Sequence, residues 1–506
     1  MGWGSTFLDA TEANATRLAW RVDVVVSASG IGDAWSVASH EDGDAGEVRI
    51  EDGSVRLSSS SLDPRGWRTT FGGFSFTLLG SIVDFVANVS RGSIVTLSLG
   101  IDDADPTNME IVAIGEVRNI RLVRKGAWEV ECIDGLGMLS QRRDRSQGQG
   151  FLFFDLPRSS VVDGTAYTPG DTTLEVLSTS PFNLETGGTG AVRVTPTTGD
   201  PFILHFTGIA AGPPRLTGVS AAGQYGTTAA AAAILQPVEA LALIEGSPGE
   251  VFTKILTSRD GTNGPNDVLP ASWGLAIDSA LVDRVALAAL DSGPLTPSSG
   301  SFTVTLIADA EIEDGLSWFV GWMSQIGMFP VIAQGLISAG VAQDTATASA
   351  AFTLEDDEII ELLAHEFWDE GHAPEYQVAR VRTAASFNET TGHPAATMPT
   401  AMRLLYDARG IVWSNETAVQ DNILERVQES AKRVPERLEL RVQTLRCMAI
   451  AVGDVGELTY TGTLRRNGAL GWTAAPCIVT AITPEPNTNT VVLTVLVYPA
   501  TEDMYD

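Results

Sequence analysis

The first 147 residues consist largely of short apolar–polar alternating runs that end at Gly, Asp or Pro. In one such run, Val48 and Ile50 alternate with Arg49 and Glu51. A period of two places apolar side chains on one face of a strand and polar side chains on the other. Closely spaced strands of this kind close into a barrel or a sandwich. Residues 1–147 are therefore predicted to form a β-barrel-like domain, in which EIVAIGEV and NIRLVRK are separate strands.

Three further changes of pattern divide the rest of the chain. Residues 148–240 are rich in Thr, Gly and Ser and predict a small inserted β-domain. Residues 241–375 mix helical and strand periodicities and predict an α/β middle domain. Residues 376–506 return to alternation and predict a second β-barrel-like domain with one amphipathic helix at about 420–434. The expected fold is mainly β and multi-domain (α+β), with a barrel-like domain at each end flanking an α/β middle region.

Helix signals cluster in the middle block. Ser247 and Glu250 have the spacing of a capping box, and Pro248 occupies the first helical position, where its missing N–H costs nothing. A second helix is predicted at 278–290, with Val285 on its buried side. A third is predicted to begin near Asp314 and to stop at Gly327.

The charge balance disfavours two classes of partner. The chain has 32 basic and 63 acidic residues, a formal net charge of −31. A field of that sign repels phosphate backbones and anionic lipid heads, so no stable nucleic-acid binding is expected. Residues 315–343 carry no formal charge, but Pro330 and several glycines interrupt them, and no membrane span is predicted. The N-terminal segment carries Asp9 and Glu12 and has no basic start followed by an apolar core, so a secretory signal peptide is not predicted.

The cysteines suit burial better than chemistry. Cys132, Cys447 and Cys477 are too few and too scattered for a disulfide scaffold or a zinc site. Each lies in an apolar, strand-like context, so we interpret all three as small buried hydrophobic residues.

The remaining motifs do not indicate catalysis. His365-Glu366 begins like the H-E-x-x-H zinc signature, but Asp369 stands at the second ligand position. His372 follows seven residues after His365, but Gly371 and Pro374 disfavour a continuous helix that would pair the two, so we interpret both histidines as solvated loop residues. The acidic runs 102–105 and 355–358 lack the twelve-residue calcium-loop pattern. There is no G-x-S-x-G elbow and no phosphate-binding Gly-Lys loop. We expect no enzymatic activity, no catalytic, cofactor-binding or metal-ligating residues, and no cofactor.

Three stretches resemble the tail-tip (baseplate) hub proteins of tailed bacteriophages and gene transfer agents. The first is SSSSLDPRGWRTTFGGFSFTLLG with SIVTLSLGIDD and IGEVRNIRLVRKGAWEVECIDGLGML, which is similar to the first barrel of a hub. The second, SPGEVFTKILTSRDGTNGPNDVLPASWGLAIDSALVD with DGLSWFVGWMSQIGMFPVIAQG, is similar to the hub's α/β region. The third, RLELRVQTLRCMAIAVGDVGELTY, is similar to its closing barrel, including the turn at Gly453-Asp454.

This resemblance implies a mechanical role in the virion. Hubs assemble as homotrimers whose first and last barrels alternate in a pseudo-sixfold ring, so that each acts as a symmetry adapter. Such a ring joins the hexameric tail tube or distal tail ring to a threefold tip. The implied partners are two further copies, the distal tail or tail tube protein, the tape-measure protein, and tip or fibre proteins. The implied location is the virion tail tip, after assembly in the host cytoplasm.

Two other functions stay open at this point. The inserted domain suits a host-surface, carbohydrate-binding adhesin if Tyr167, Phe182 and Tyr225 are exposed. A tail-associated cell-wall hydrolase is the third possibility, because a glycosidase needs only two acidic side chains at a suitable separation, and a sequence does not show that separation.

Overall fold

Strands dominate the chain, as the alternating runs predict. The computed structural model describes residues 18–25, 35–39, 49–51, 53–63, 68–70, 72–80, 89–101, 109–140, 159–182, 184, 188–257, 277, 279–292, 303–308, 315–343, 348–367, 376–383, 387–391, 403–413, 435–442, 450–465, 468–486, 488 and 490–498.

The strands are β1 (Leu18–Val25), β2 (Trp35–Ala38), β3 (Arg49–Ile50), β4 (Arg56–Leu57), β5 (Ser60–Asp63), β6 (Arg68–Thr70), β7 (Phe74–Leu79), β8 (Ile94–Ile101), β9 (Glu110–Arg124), β10 (Ala127–Asp134), β11 (Ser159–Val161), β12 (Thr173–Glu175), β13 (Gly190–Val194), β14 (Phe202–Phe206), β15 (Gly208–Ala211), β16 (Pro214–Thr217), β17 (Pro237–Gly246), β18 (Val304–Ala308), β19 (Met328–Ala333), β20 (Leu336–Val341), β21 (Phe352–Leu354), β22 (Ile359–Phe367), β23 (Tyr376–Thr383), β24 (Phe387–Thr391), β25 (Arg403–Trp413), β26 (Glu436–Val442), β27 (Val455–Leu464), β28 (Leu470–Glu485) and β29 (Thr490–Val497). The α-helices are α1 (Pro248–Thr257), α2 (Arg284–Ser292) and α3 (Gly315–Ser324), and 3-10 turns lie at Gly137–Ser140, Ser279–Leu281 and Asp356–Glu358.

The chain divides into two compact units. One contains residues 1–140, 328–373 and 429–506, and the other contains residues 141–327 and 374–428. The first unit, which we call the barrel unit, therefore holds the N-terminal β block to residue 140 and the C-terminal block from residue 429, whereas β23, β24 and β25 of the C-terminal block lie in the other unit. The other is called the middle unit.

The first sheet of the barrel unit is a nearly closed barrel. Its strand order is β2-β1-β8-β9-β10-β7-β3, with β4 also paired to β7, and its two ends, β2 and β3, approach each other. Apolar side chains from alternate positions fill its interior, where Phe76, Val95 and Val130 are essentially fully buried. The long strand β9 continues past the end of β8 and returns as β10 through a tight turn at Gly126.

The second sheet of the barrel unit, which we call the second barrel, has the order β21-β27-β28-β29-β26-β22, and it curves so that His365 of β22 lies 3.2 Å from the hydroxyl of Thr463 in β27. Its β26 shows the alternation predicted from sequence. Leu438, Leu440 and Val442 are fully buried, while Arg437 and Arg441 on the opposite face pair with glutamates of β22.

The middle unit combines a mostly antiparallel sheet with the three helices. The sheet order is β14-β13-β17-β18-β25-β23-β24, with β11 paired to β17, and a small sheet β12-β16-β15 lies beside it in the chain. Phe252 of α1 and Phe319 of α3 have ring centroids 4.6 Å apart, and both side chains are fully buried.

The mainly β fold is confirmed, whereas several local predictions are corrected. Helix α1 begins at Pro248 as predicted, but Asp291 of α2 holds its amino end in place of a capping box. The Asp291 carboxylate accepts bonds from the Ser247 hydroxyl at 2.6 Å and the Gly249 N–H at 2.8 Å. Glu250 pairs instead with Lys254.

Two further helix predictions meet different outcomes. Helix α2 begins at Arg284, later than predicted, after the 3-10 turn Ser279–Leu281. Val285 is 67% exposed, so its predicted burial is wrong, and Leu287 supplies the buried face. The amphipathic helix predicted at about 420–434 lies outside the described residues.

Candidate functional site: a seam between two like barrels

A hairpin from the first β block completes the second sheet. Strands β5 and β6 pair with each other, and β5 also pairs with β28, Ser61 opposite Ala481 and Ser60 opposite Ile482. This pairing uses the part of β28 that follows Ile478, because Ile478 lies opposite Val455, the first residue of β27. A segment of the N-terminal β block is therefore hydrogen-bonded into the sheet of the second barrel, and we call this junction the seam.

The hairpin β19–β20 packs against both barrels along the seam. Phe329 is fully buried, and a Cβ atom added at either Gly340 or Gly453 would lie only 2.3 Å from Cζ of its ring. Gly335 has φ +79°, and a Cβ there would lie 2.4 Å from the backbone nitrogen of Ile114 in β9. Glycine is required at these positions because of close approach, and at Gly335 and Gly453 because of a positive φ as well.

A cavity of about 130 Å³ opens at the same junction. Its lining combines serine and threonine side chains of β5 and β6 with residues of the β19–β20 turn, β9 and β28. Asp134 also lines it, and burial raises the pKa of this carboxyl to about 6, against the opposing effect of backbone hydrogen bonds from Gly137, Leu136 and Gly72. The cavity is polar enough to hold water.

The two barrels share one strand order. In the first barrel, the order β8-β9-β10-β7 forms the core, and in the second it is β27-β28-β29-β26. In each, the earliest strand along the chain pairs with the last, and every pairing within these cores is antiparallel. The flanks differ, because β1 joins β8 antiparallel whereas β21 joins β27 parallel.

A β-bulge occupies the same place in both barrels. In the first, Val117 lies opposite Cys132 and Asn119 opposite Glu131, which leaves Arg118 as the extra residue. In the second, Val479 lies opposite Val495 and Ala481 opposite Thr494, which leaves Thr480 as the extra residue. Bulges are specific structural features, so this match aligns β9 with β28 residue by residue: Asn119 corresponds to Ala481 and Ile120 to Ile482.

The turn that enters the next strand matches to the level of single hydrogen bonds. Gly92 has φ +92°, its N–H bonds to the Val117 carbonyl at 2.9 Å, and the Val117 N–H bonds to the Ser93 carbonyl at 2.9 Å. Gly453 has φ +93° and repeats the first bond to Val479 at 2.8 Å.

The polar residue of this turn is also equivalent. The Val479 N–H bonds to the Asp454 carbonyl at 3.0 Å, as Val117 does to Ser93. The Ser93 hydroxyl accepts from Ser90, and the Asp454 carboxylate accepts from the N–H of Ala451 at 2.8 Å. The barrels are therefore two versions of one structural unit.

His365 lies inside the second barrel, not in a solvated loop. Its side chain is 11% exposed, with Nε2 2.8 Å from the Glu436 carboxylate and Nδ1 3.2 Å from the Thr463 hydroxyl. Its ring also packs edge-on against Trp472, with centroids 5.5 Å apart. The interpretation as a solvated loop residue is wrong, because β22 extends to Phe367 and turns this side chain toward β26, β27 and β28.

The other residues considered from sequence have mostly structural surroundings. Asp356 of the acidic run 355–358 accepts bonds from both the backbone and the hydroxyl of Thr461, and these bonds lower its pKa. Cys132 and Cys477 are buried as predicted. The run 102–105, His372 and Cys447 lie outside the described residues.

The aromatic residues offered for an adhesin are not exposed. Tyr167, Phe182 and Tyr225 are 2%, 3% and 3% exposed, so the surface role suggested for them is wrong. Tyr225 bonds through its hydroxyl to His205 at 2.7 Å, and burial lowers the pKa of that histidine.

Searches of the described residues for two common kinds of site were negative. No group of three or more His, Cys, Asp or Glu side chains is placed to hold a metal ion in the described ranges. In the same part of the chain no helix has the length and apolar character needed to cross a bilayer.

Comparisons with known proteins add little to this picture. No protein-family model and no curated protein matches the chain. Among solved structures, the chain is similar to one described as "Virion of native gene transfer agent (GTA) particle", at 15% identity, with 46% of this chain and 83% of that chain covered and a TM-score of 0.18. A likeness of this size carries no argument about function.

Sequence reasoning missed the seam and the residue-level equivalence of the barrels. The short run Ser60–Asp63 has no strong alternation, and its strand partner lies more than 400 residues away along the chain. One usable signal was present: Gly92-Ser93-Ile94 and Gly453-Asp454-Val455 each place glycine and a small polar residue directly before a strand.

Proposed function

We propose that the chain is a structural subunit of a bacteriophage tail tip, a baseplate hub that forms a homotrimer. In this role it joins the hexameric tail tube or distal tail ring to a threefold tip. It acts by geometry and binding and has no enzymatic activity. Its site of action is the virion, where it contacts tube, tape-measure and tip or fibre proteins.

One observation carries the proposal: a single chain holds two barrels with the same core strand order, the same bulge and the same entry turn. Three copies of such a chain carry six like barrels. A ring of six can match a hexameric neighbour on one face, while the unlike parts of the three chains present threefold symmetry on the other. Closed rotational symmetry is the common arrangement of homo-oligomers.

The seam supports the same role. A segment of the N-terminal β block is hydrogen-bonded into the second sheet through β5, and the hairpin that carries the buried Phe329 packs against both barrels. A rigid pair is what a ring-forming subunit requires, since flexible tethering would increase the entropy lost on assembly. The sequence resemblance to hub proteins adds the specific assignment to a tail tip.

The oligomeric state tests the proposal directly. The mass of the purified chain is measured by light scattering over a range of concentrations, alone and with the neighbouring tail proteins. A mass of three chains is expected, and averaged images of the particles should show six similar densities in a ring. A chain that stays monomeric at high concentration and with its neighbours present would contradict the proposal.

A further inference from the structure

The outer half of β9 presents an open backbone edge. On one side β9 pairs with β10 as far as Arg124. On the other side β9 pairs with β8, whose first residue, Ile94, lies opposite Glu116. The last backbone bonds on this side join Val117 to Gly92 and Ser93. Beyond Val117, no strand pairs with this side of β9 among the residues that the structure describes.

This edge is also exposed in its side chains. Leu122 and Val123 are 55% and 57% exposed, and the arginines at 118, 121 and 124 face solvent as well. An exposed edge strand with adjacent apolar side chains is a template for pairing with another chain, and monomeric proteins usually block it.

The equivalent edge in the second barrel is occupied. The bulge aligns Asn119 with Ala481 and Ile120 with Ile482. Ala481 and Ile482 are the residues that pair with Ser61 and Ser60 of β5. In the described part of the chain, this edge is therefore paired in the second barrel and has no strand partner in the first.

The charge of the open edge indicates an acidic partner. Arg118, Arg121, Arg124 and Lys125 lie within eight consecutive residues of a chain whose net charge is −31. Arg121 pairs with Glu129 and Arg124 with Glu51; both arginine side chains are 61% exposed, and ion pairs with an exposed partner contribute little to stability. A second copy of this acidic chain is electrostatically complementary to the strip.

We infer that residues 118–124 of β9 are the docking edge for a second copy of this chain, which adds a strand from the side of its second barrel. Within one chain, the N-terminal β block supplies β5 to the second barrel. In a closed ring of alternating barrels, the remaining contacts join the second barrel of one copy to the first barrel of the next. This inference rests on the proposed homotrimer and assigns its intermolecular contact.

Hydrogen exchange across a concentration series tests the docking edge. As the oligomer forms, amides in peptides covering 117–124 are expected to exchange at least about tenfold more slowly, because added strand bonds protect them. Peptides from β24, the edge strand of the middle unit, serve as the internal control and should not change. Peptides from β29 report that the barrel unit is folded.

A matched pair of charge variants completes the test. Arg118→Glu with Lys125→Glu should weaken self-association at least about tenfold. Arg56→Glu with Arg284→Glu changes the net charge equally but leaves the edge intact, and it should associate like the native chain.

The outcomes separate this inference from the proposed function. An oligomer that forms while 117–124 exchange unchanged overturns the docking edge and leaves the proposed trimer standing. Protection that appears only when a different tail protein is added, with this chain monomeric, overturns the second copy as occupant. A monomer without protection under any condition overturns both.

Discussion

Two equivalent glycines allow the packing of the seam to be measured. Gly92 and Gly453 have φ values of +92° and +93° in matching turns, so replacement by alanine strains the backbone equally. Strain of this kind costs about 1–3 kcal/mol. The surroundings differ, however, because the first position is open and the second faces the seam.

The difference can be worked from distances. An alanine Cβ at Gly92 would have no close heavy atom, the nearest being Glu116 Oε1 at 4.0 Å. At Gly453 it would lie 2.3 Å from Cζ of Phe329, a distance that requires the ring to move. Phe329 is fully buried and cannot move freely, so overpacking should add about 1–3 kcal/mol. Gly453→Ala should therefore lower the local free energy of opening by about 1–3 kcal/mol more than Gly92→Ala does.

Local opening free energies from hydrogen exchange give the comparison without assuming that the whole chain unfolds in one step. Each alanine variant is compared with the native chain in the barrel that carries it, through amides of β9–β10 for Gly92 and of β28–β29 for Gly453. In the Gly453→Ala background, Phe329→Leu should cost less than it does in the native chain, because the shorter side chain relieves the clash. Equal losses for the two alanine variants, with no such coupling, would refute the close packing of Phe329 on this turn.

Three further predictions follow from buried groups. The pKa of Asp134 is raised from 3.8 to about 6 in the folded state, so the free energy of unfolding should fall by about 3 kcal/mol as the pH rises from about 4 to about 6. Urea titrations at several pH values measure this fall, and Asp134→Asn should remove the part that Asp134 causes. Burial raises the thiol pKa of Cys132 and raises the pKa of Cys477 to about 12, so neither thiol should react with a thiol reagent at pH 8 until urea unfolds the chain. Rapid labelling of either residue in the folded chain would contradict the burial. His365→Ala removes the hydrogen bond between the imidazole and the Glu436 carboxylate and should destabilise the barrel unit by about 1–3 kcal/mol. A double variant with Glu436→Ala should lose less stability than the sum of the single losses, and strict additivity in thermal melts would mean that the pair is not coupled.

Local patterns were sufficient for most strands of the terminal blocks, and the exceptions have physical causes. Two strands were predicted where the structure has the single strand β9, because the bulge at Arg118 shifts the alternation by one residue. The pattern on either side of a bulge has opposite phase, which resembles a strand end. Val285 was assigned to a buried face by periodicity alone, although the helix that carries it begins only one residue earlier, at Arg284.

The candidate site could not be predicted in the same way, since it depends on contacts between distant parts of the chain. Ser60 and Ser61 carry no apolar pattern, and their pairing with the edge of β28 joins segments more than 400 residues apart in the chain. His365 was assigned to a loop because Gly371 and Pro374 follow it closely, but the strand ends before both of them. What sequence could supply was the order of the blocks, in which a strand-rich segment at each end encloses the helices.

The unequal flanks of the two barrels have a consequence for assembly. A ring of six separate barrels must form six intermolecular contacts, and each copy that joins loses translational and rotational freedom. Fusing two barrels in one chain makes three of those contacts intramolecular, at an effective concentration set by the covalent connection. In this chain β5 occupies one edge, while none of the strands that the structure describes pairs with the matching edge of β9. In the homotrimer that we propose, the docking edge of each copy would receive the next copy, and growth would stop when the ring closes.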